Sequence, residues 1–372
     1  MVDFGFPAVA WASDCDVLRI EARFPELTVE IKVLDWHGSE VYKGGGKYVA
    51  VDGVVLITGL QEMLNRYCLL GVNHLNALDY SGVDPWVTFC YYIAEEDFDF
   101  QTKVYYNRRL MKWGPGDAFQ YWAVQERDRK VLPGMRCGLY FDNNAALTVR
   151  VGLAYVDTAG EVRYSDKTVD YDNDQGQWVM IDGSIDGAVG YVLGAGSAVG
   201  RVLYADYMLD DGKVVTDKVR VTPLDNAPAH SVEVIFLNMF GVYETLLMTG
   251  SDSENVELEA SYGYANGKMV RTDAICEVGH EMHSGWLSRA RYATVIDMCE
   301  SPWVAVKAAD GGWREIVVTE LKAERVRPNN MPDDVVVSWR YAERIGQMRA
   351  VFEPVNPAAD DVFDYSFDRV FD

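Results

Sequence analysis

The chain has 372 residues, of which 49% are hydrophobic, 12% aromatic and 24% charged. This length and composition exclude a disordered chain and a single ordinary β-sandwich, and they predict two or three folded domains of about 100–150 residues each. The 57 acidic and 34 basic residues give a net charge of −23. Nucleic-acid or anionic-lipid binding would therefore need a basic patch, and no run of four Lys or Arg residues supplies one.

Cysteine usage and hydropathy indicate the compartment. Six cysteines are scattered along the sequence, and none forms a Cys-x-x-Cys pair. Residues 1–4 lack the basic region and apolar run that open a signal peptide, and no apolar stretch approaches the ~18 residues that cross a bilayer. We therefore predict synthesis in a reducing cytosol, without a signal peptide and without membrane insertion.

Apolar and polar residues alternate with a period of two in several stretches, which is the pattern of half-buried strands. Such stretches are residues 27–33, 147–155 and 232–236. Asp-Gly and Asn-Gly pairs supply the positive φ angles of tight hairpins, and they separate strand-like runs at residues 210–212, 266–267 and 310–312. The sequence therefore predicts antiparallel sheets.

Two short helices are predicted between the strands. One covers residues 60–70, where apolar residues recur along one stripe, and Thr58 and Gln61 stand before it at capping-box spacing. The other covers residues 286–298 and stops before the Ser-Pro pair at 301–302. The predicted fold class is all-β, with several antiparallel β-sandwich domains and one or two short helices.

Two stretches have the composition of linkers. Residues 130–134 follow a highly charged run and contain a Pro-Gly pair, and residues 222–228 contain two prolines, which cannot donate to a central ladder. Division at these points predicts three domains. They are a β-sandwich with one helix over residues 1–130, a β-sandwich over 131–228, and a β-rich domain with one helix over 229–372.

His280 and His283 resemble half of a metal site. The zincin motif needs two histidines four residues apart on a helix, whereas these two are three apart in a segment with the character of turn or strand. On a strand they would point to opposite faces. We predict a solvated turn here in preference to a metal site.

Residues 170–176 (DYDNDQG) resemble the first half of a calcium-binding loop. The glycine falls one place late, and position twelve of the loop would be Ile181 instead of a bidentate Glu. An acidic hairpin tip is the preferred interpretation. Calcium binding by Asp170, Asp172 and Asp174 stays open as the alternative.

Two further patterns do not complete a site. The glycines of residues 194–200 are misplaced for a dinucleotide-binding loop and lie among hairpins instead of a βαβ unit, so a flexible loop is predicted. His230 and Ser231 are neighbours that enter a strand, so their side chains diverge. The sequence marks no catalytic triad among its five histidines.

Residues 95–99 (EEDFD) could furnish a carboxylate pair for glycoside hydrolysis, with Trp113, Tyr121 and Trp122 as platforms for sugar rings. The simpler interpretation is a charged loop after a strand over residues 87–94, with the tryptophans in the core or in an interface. The main alternative function is therefore a carbohydrate-binding β-sandwich protein or an accessory module of a polysaccharide-processing system. We predict no catalytic residue, no cofactor and no metal ligand.

The most distinctive stretch is residues 236–250 (FLNMFGVYETLLMTG). It has the pattern of a buried strand, a bend at Gly241 and a second apolar strand. Its side chains are not expected to perform acid–base chemistry at an unusual pKa, to bind a metal or to hold a phosphate. The stretch resembles a segment of structural proteins encoded by phages and prophages of Bacteroidetes-type bacteria.

Three other regions resemble modules of the same family, in the same order along the chain. They are residues 27–64, residues 89–134 with 147–164, and residues 286–341. The motifs are short and apolar, so the resemblance rests on their order. Residues 65–86 and 178–200 have no counterpart and are interpreted as embellishments for a partner.

The resemblance implies β-sandwich domains and a non-enzymatic role in a virion, in the tail or its receptor-proximal end. It supplies no catalytic residues. The implied partners are other virion proteins and further copies of this chain, because symmetric oligomers build such particles. A surface glycan is kept as a further ligand, whereas nucleic acid and membrane insertion are not expected. The protein would reside in the bacterial host cytoplasm during assembly and then in the virion.

Overall fold

The computed structural model describes residues 6–70, 85–109, 121–142, 147–169, 178–225, 228, 230–265, 268–285, 287–308, 311–323 and 334–343. Within these residues, strands dominate and three α-helices are present, so the prediction of an all-β fold with several sheets is confirmed. None of the described helices has the length and apolar character needed to cross a membrane.

The first unit comprises strands β1 to β7 and helix α1. Its elements are β1 (Val9–Trp11), β2 (Val17–Glu21), β3 (Glu26–Leu34), β4 (Glu40–Val49), β5 (Val54–Thr58), α1 (Leu60–Cys68), β6 (Trp86–Ile93) and β7 (Phe98–Tyr105). The five-stranded sheet has the order β1-β7-β6-β3-β4, and β2 pairs with β5. The alternating residues 27–33 lie in β3 as predicted, and their apolar face is buried against β2, β5 and α1.

Helix α1 begins where the sequence predicts, but it is not held by the predicted capping box. Its N-cap is Gly59, at φ 78°, and no side chain caps the helix. Thr58 is the last residue of β5 and pairs with Val17, so it lies before the N-cap position. The chain turns from strand to helix within one residue, which requires the left-handed conformation that glycine tolerates.

The second unit comprises β8 to β14 and helix α2. Its elements are β8 (Asp128–Val131), β9 (Gly138–Asp142), β10 (Thr148–Val156), β11 (Val162–Val169), β12 (Trp178–Asp182), α2 (Ile185–Leu193), β13 (Arg201–Asp210) and β14 (Val215–Pro223). The five-stranded sheet has the order β11-β10-β13-β14-β8, and β12 pairs with β9. The strand predicted over residues 147–155 and the hairpin at residues 210–212 are confirmed.

Helix α2 is not among the predicted helices, and it lies in residues 178–200, which have no counterpart in the family resemblance. The segment contains two glycines in nine helical residues, which lowers its intrinsic helix propensity. The Oγ of Ser184 caps the helix by accepting a hydrogen bond from the Gly187 backbone amide. A Cβ at Gly187 would lie 2.6 Å from the Asp182 carbonyl oxygen, so the glycine permits the close approach of strand and helix.

The third unit comprises β15 to β21 and helix α3. Its elements are β15 (Val232–Leu237), β16 (Tyr243–Met248), β17 (Asp252–Ala265), β18 (Lys268–His283), α3 (Arg289–Cys299), β19 (Val304–Lys307), β20 (Trp313–Ala323) and β21 (Val335–Tyr341). All seven strands form one sheet in the order β16-β15-β19-β20-β21-β18-β17. Helix α3 begins at Arg289, later than the predicted residue 286, because Ser288 caps it through its Oγ.

The sheets are antiparallel with two exceptions at edges, where β1 pairs in parallel with β7 and β8 pairs in parallel with β14. The predicted boundary between residues 130 and 131 falls within β8. The three main hydrophobic cores follow the three units, except that Leu247 of β16 packs into the core of the second unit. The domain limits themselves stay predictions.

Candidate functional site

Residues 236–250 lie where the three units meet. A fourth hydrophobic cluster joins Ala123 and Tyr140 to Leu237, Val242 and Tyr243. Beside it, the ring of Phe240 lies 6.1 Å from that of Trp11 in the first unit. The stretch with the family resemblance is therefore the hub of a three-unit junction.

The side chain of Asn238 forms the bend that separates β15 from β16. Its Oδ1 accepts hydrogen bonds from the backbone amides of Phe240, at 3.0 Å, and Val242, at 3.3 Å. Its Nδ2 donates to the backbone oxygen of Ala123, at 2.7 Å, and to Oε2 of Glu244, at 3.0 Å. One fully buried amide thus fixes the bend and attaches it to the chain that enters the second unit.

Gly241 brings the first unit against this bend. It has φ 77°, and a Cβ at this position would lie 2.7 Å from Cβ of Pro85 and 2.9 Å from Cδ1 of Tyr106. Both neighbours belong to the first unit. A glycine is therefore needed here for the backbone conformation and for the space.

Arg108 connects the first unit to helix α3 of the third. Its Nη2 donates to Oδ1 of Asp297, at 2.6 Å, and to the backbone oxygen of Leu237, at 3.2 Å. Oδ2 of Asp297 accepts a 2.9 Å hydrogen bond from the backbone amide of Met239. The Asp297 carboxylate therefore bridges the bend and the arginine. Burial raises the pKa of Asp297, and the charge of Arg108 opposes that effect.

Glu244 pairs with Arg129 of β8 in the interior. The two side chains are 0% and 3% exposed, and Nη2 of Arg129 lies 3.6 Å from Oε1 of Glu244. Burial raises the pKa of Glu244 to about 7, although Arg129 and the amide of Asn238 act in the opposite direction. The expectation that residues 236–250 hold no group with an unusual pKa is therefore wrong. The pattern of apolar and polar residues along the strand does not show that the Glu244 carboxylate is buried.

A second acid–base pair lies nearby. Nη1 of Arg291, in α3, is 3.7 Å from Oε1 of Glu126, which precedes β8. Both side chains are more than nine-tenths buried. Burial raises the pKa of Glu126 and lowers that of Arg291, because desolvation disfavours the charged form of each group.

The two arginines also cover the outer edge of the third sheet. Strand β16 ends this sheet, so alternate carbonyl groups point away from β15. Arg129 donates to the backbone oxygen of Thr245, and Arg291 donates to that of Leu247. These bonds satisfy carbonyl groups that an open edge leaves without partners. Every residue of β16 is buried as a result of this packing.

The junction therefore assembles three guanidinium groups and three carboxylates within the described chain. They are Arg108, Arg129, Arg291, Glu126, Glu244 and Asp297. Their formal charges cancel, so the interior of a chain with net charge −23 holds a locally neutral cluster. The groups contact one another and backbone atoms of neighbouring units, and these contacts connect the three units.

The predicted solvated turn at His280 is wrong, because His280 and His283 lie in strand β18. The ring of His280 stacks on Trp339 with centroids 4.3 Å apart, and burial lowers its pKa. His283 instead contacts Asp334 through Nδ1. Among the residues that the structure describes, no group of three or more His, Cys, Asp and Glu side chains could hold a metal.

The other sequence candidates form no common site among the residues that the structure describes. Residues 170–176, with the calcium-loop pattern, lie outside the described residues. Residues 194–200 follow helix α2 as a loop and lack βαβ surroundings. Nδ1 of His230 lies 3.1 Å from Oδ1 of Asp252, on an exposed surface.

Trp122 is buried and does not serve as a sugar platform, whereas Tyr121 is 40% exposed. Glu95 lies in the turn between β6 and β7. Its carboxylate accepts hydrogen bonds from the backbone amide and the hydroxyl of Thr28 in β3, both at 2.7 Å. Trp122 is 1% exposed, and its indole nitrogen donates to Tyr207 in the second unit. Trp113 lies outside the described residues.

The residues of the junction were missed by sequence reasoning, although a weak signal was present. Glu244 interrupts the apolar run of β16, and Asp297 lies between Ile296 and Met298 in α3. A charged residue in such a setting indicates a buried partner. The identity of that partner is not local, since Arg108 and Asp297 are separated by 189 positions.

Comparisons with known proteins give little further information. No protein-family model matches the sequence. No curated protein matches it either. A chain in the structure "Virion of native gene transfer agent (GTA) particle" is similar at 14% identity and a TM-score of 0.21, over 30% of this chain and 91% of that chain. A TM-score this low supports no inference about fold or function.

Proposed function

We propose that this chain is a non-enzymatic structural protein of a phage or prophage particle, a tail component that acts through protein–protein contacts. Its partners in this proposal are other virion proteins and further copies of the chain. The protein would accumulate in the host cytoplasm and then enter the particle.

The observation that carries the proposal is the position of residues 236–250. The stretch that resembles a phage structural family is the hub on which three β units converge. Its ionisable groups are buried and engaged with the neighbouring units, as Glu244 is with Arg129 and Asn238. A segment that holds three units together supports a rigid protein. Rigidity of this kind suits a component that binds its neighbours in a particle.

Deletion of the gene from a strain that releases particles tests the proposal. We expect fewer complete particles, with partial assemblies visible by electron microscopy, and recovery when the gene is supplied on a plasmid. A variant with Asp297→Asn serves as a comparison, because it alters the junction and leaves the outer surface unchanged. Normal yield and normal morphology in the deletion strain would overturn the proposal.

A further inference from the structure

Strands β17 and β18 extend beyond the third sheet as a two-stranded arm. They pair continuously from Asp252 opposite Met282 to Ala265 opposite Lys268. Strand β21 pairs with β18 only over residues 280–283. Within the described chain, residues 255–265 and 268–279 therefore have only each other as strand partners. Eleven residues of extended strand span about 35 Å.

The distal part of the arm exposes an apolar patch. Tyr264 pairs directly with Met269, and Tyr262 pairs with Arg271, so these side chains share one face. Tyr262, Tyr264 and Met269 are 58%, 82% and 63% exposed. An isolated two-stranded hairpin is only marginally stable in water. A long arm with exposed aromatic residues therefore has the character of an element completed by a partner.

The outer edge of the first sheet offers a complementary strand. Strand β4 ends that sheet, and its outer edge pairs with no other strand in the described chain. It carries Lys43 and Lys47 around three glycines, and its C-terminal end leads to Val49 and Val51, which are 66% and 69% exposed. Gly44 lies under the ring of Tyr42 and Gly45 lies against the Val29 carbonyl oxygen of β3, whereas a Cβ at Gly46 would have no neighbour within 4 Å. The open stretch of this edge is therefore centred on Gly46 and Lys47.

Charge and apolar residues follow the same order along the two edges. Strand β17 carries four acidic residues and no basic residue before Tyr262 and Tyr264. Strand β4 begins with Glu40 and then carries Lys43 and Lys47 before Val49 and Val51, and Nζ of Lys43 lies 3.3 Å from Oε1 of Glu30 in β3. A parallel alignment therefore places the acidic part of β17 beside the two lysines of β4 and its two tyrosines beside Val49 and Val51, with Glu40 as the one acidic residue of β4 at the acidic end. An antiparallel alignment would place the acidic residues beside the two valines. Parallel addition at an edge already occurs twice in this fold, where β1 joins β7 and β8 joins β14.

We propose that β17 of one copy adds in parallel to β4 of a second copy. Within the described chain, β4 and β17 end two different sheets, so they do not pair with each other in one molecule. The contact joins two different surfaces, so each copy has one donor arm and one acceptor edge, and repetition gives a ring or a filament. This inference deepens the proposed function and rests on it, because it supplies the self-assembly contact of the particle component.

Two complementary variants of the full chain test the contact. The arm variant carries Tyr262→Asp and Tyr264→Asp, and the edge variant carries Lys47→Glu and Val49→Asp. All four residues are exposed, so both variants should retain the wild-type thermal transition. Sedimentation velocity should show concentration-dependent assembly of the wild type and monomers of each variant alone. An equimolar mixture should form a one-to-one dimer and nothing larger, since only one intact arm–edge pair remains.

A matched control uses another strand that ends a sheet. Strand β11 ends the second sheet and carries exposed Tyr164 and Lys167. The variant Tyr164→Asp with Lys167→Glu should assemble like the wild type. A wild type that stays monomeric at high concentration, a mixture that does not dimerise, or loss of assembly in the β11 control would overturn the inference.

Particle incorporation is measured separately, so the two proposals can fail independently. If the protein is present in purified particles but the wild type is monomeric, only the arm–edge contact is contradicted. If assembly depends on the arm but the protein is absent from particles, the proposed function is contradicted.

Discussion

The guanidinium of Arg108 donates a 2.6 Å hydrogen bond to the carboxylate of Asp297, across 189 positions of sequence. The two side chains are 14% and 1% exposed, so the pair is largely withdrawn from water. It connects the end of the first unit to a helix of the third, and the backbone oxygen of Leu237 accepts from the same nitrogen. The junction is thus held by desolvated groups that depend on one another.

Asp297→Asn should lower the free energy of unfolding by about 3–5 kcal/mol, because it leaves the buried Arg108 without a counter-charge. Arg108→Met should cost a similar amount, and the double variant should cost less than the sum of the two. Denaturant unfolding of the four proteins gives these values. The control is the neighbouring pair Arg109–Glu300, which is 33% and 53% exposed and should contribute about 1 kcal/mol or less. Strict additivity of the two buried substitutions would contradict the coupling.

Gly241→Ala should destabilise the protein more than Gly212→Ala. Both glycines have positive φ, 77° and 84°, so both substitutions carry the strain of a left-handed residue, about 1–2 kcal/mol. Only at Gly241 does the new methyl group meet Pro85 and Tyr106, whereas nothing lies within 4 Å at Gly212. Thermal unfolding compares the two variants. Equal losses would show that the first unit does not approach the bend closely.

Glu244 should make stability depend on pH near neutrality. Its folded-state pKa of about 7 lies above the unfolded value of 4.5, so the stabilisation is fully present below about pH 4.5 and is lost as pH rises through 7. Glu244→Gln should therefore become more stable relative to the wild type as pH rises, by at most about 3 kcal/mol. Urea unfolding between pH 4 and pH 8 measures the difference. A difference that does not change with pH would contradict the shifted pKa.

Cys137 should report opening of the junction. It is buried near Arg129 and Glu244, and desolvation raises its pKa, so its thiol is protected in the folded protein. In Gly241→Ala, mass spectrometry should show faster alkylation at Cys137 than in the wild type. Cys15 is the internal control, since it is equally buried but lies in the core of the first unit. Equal acceleration at both thiols would indicate global unfolding instead of a loosened junction.

Local features of the fold can be predicted from the sequence, whereas the contacts at the junction of the three units cannot. The alternation in β3 and the Asp-Gly turn between β13 and β14 are properties of short segments, and both predictions are confirmed. Helix α2 was missed because Gly187 and Gly190 weaken its local signal, so packing and the Ser184 cap decide its structure.

The environment of Glu244 shows why the site could not be predicted. Its strand neighbours predict a buried segment, but the pKa depends on the complete burial of the carboxylate and on Arg129 of β8. These are consequences of how three units pack, and no spacing rule within one segment encodes them. The apolar pattern of residues 236–250 predicts the two strands β15 and β16, and it carries no information about the partners of their ionisable groups.

The most direct measurement is quantitative mass spectrometry of particles purified by density and then by size. The account predicts that the intact chain is present in several copies per particle and stays with the particle through both separations. Its presence in the cell lysate together with its absence from the purified particles would contradict the proposed structural function.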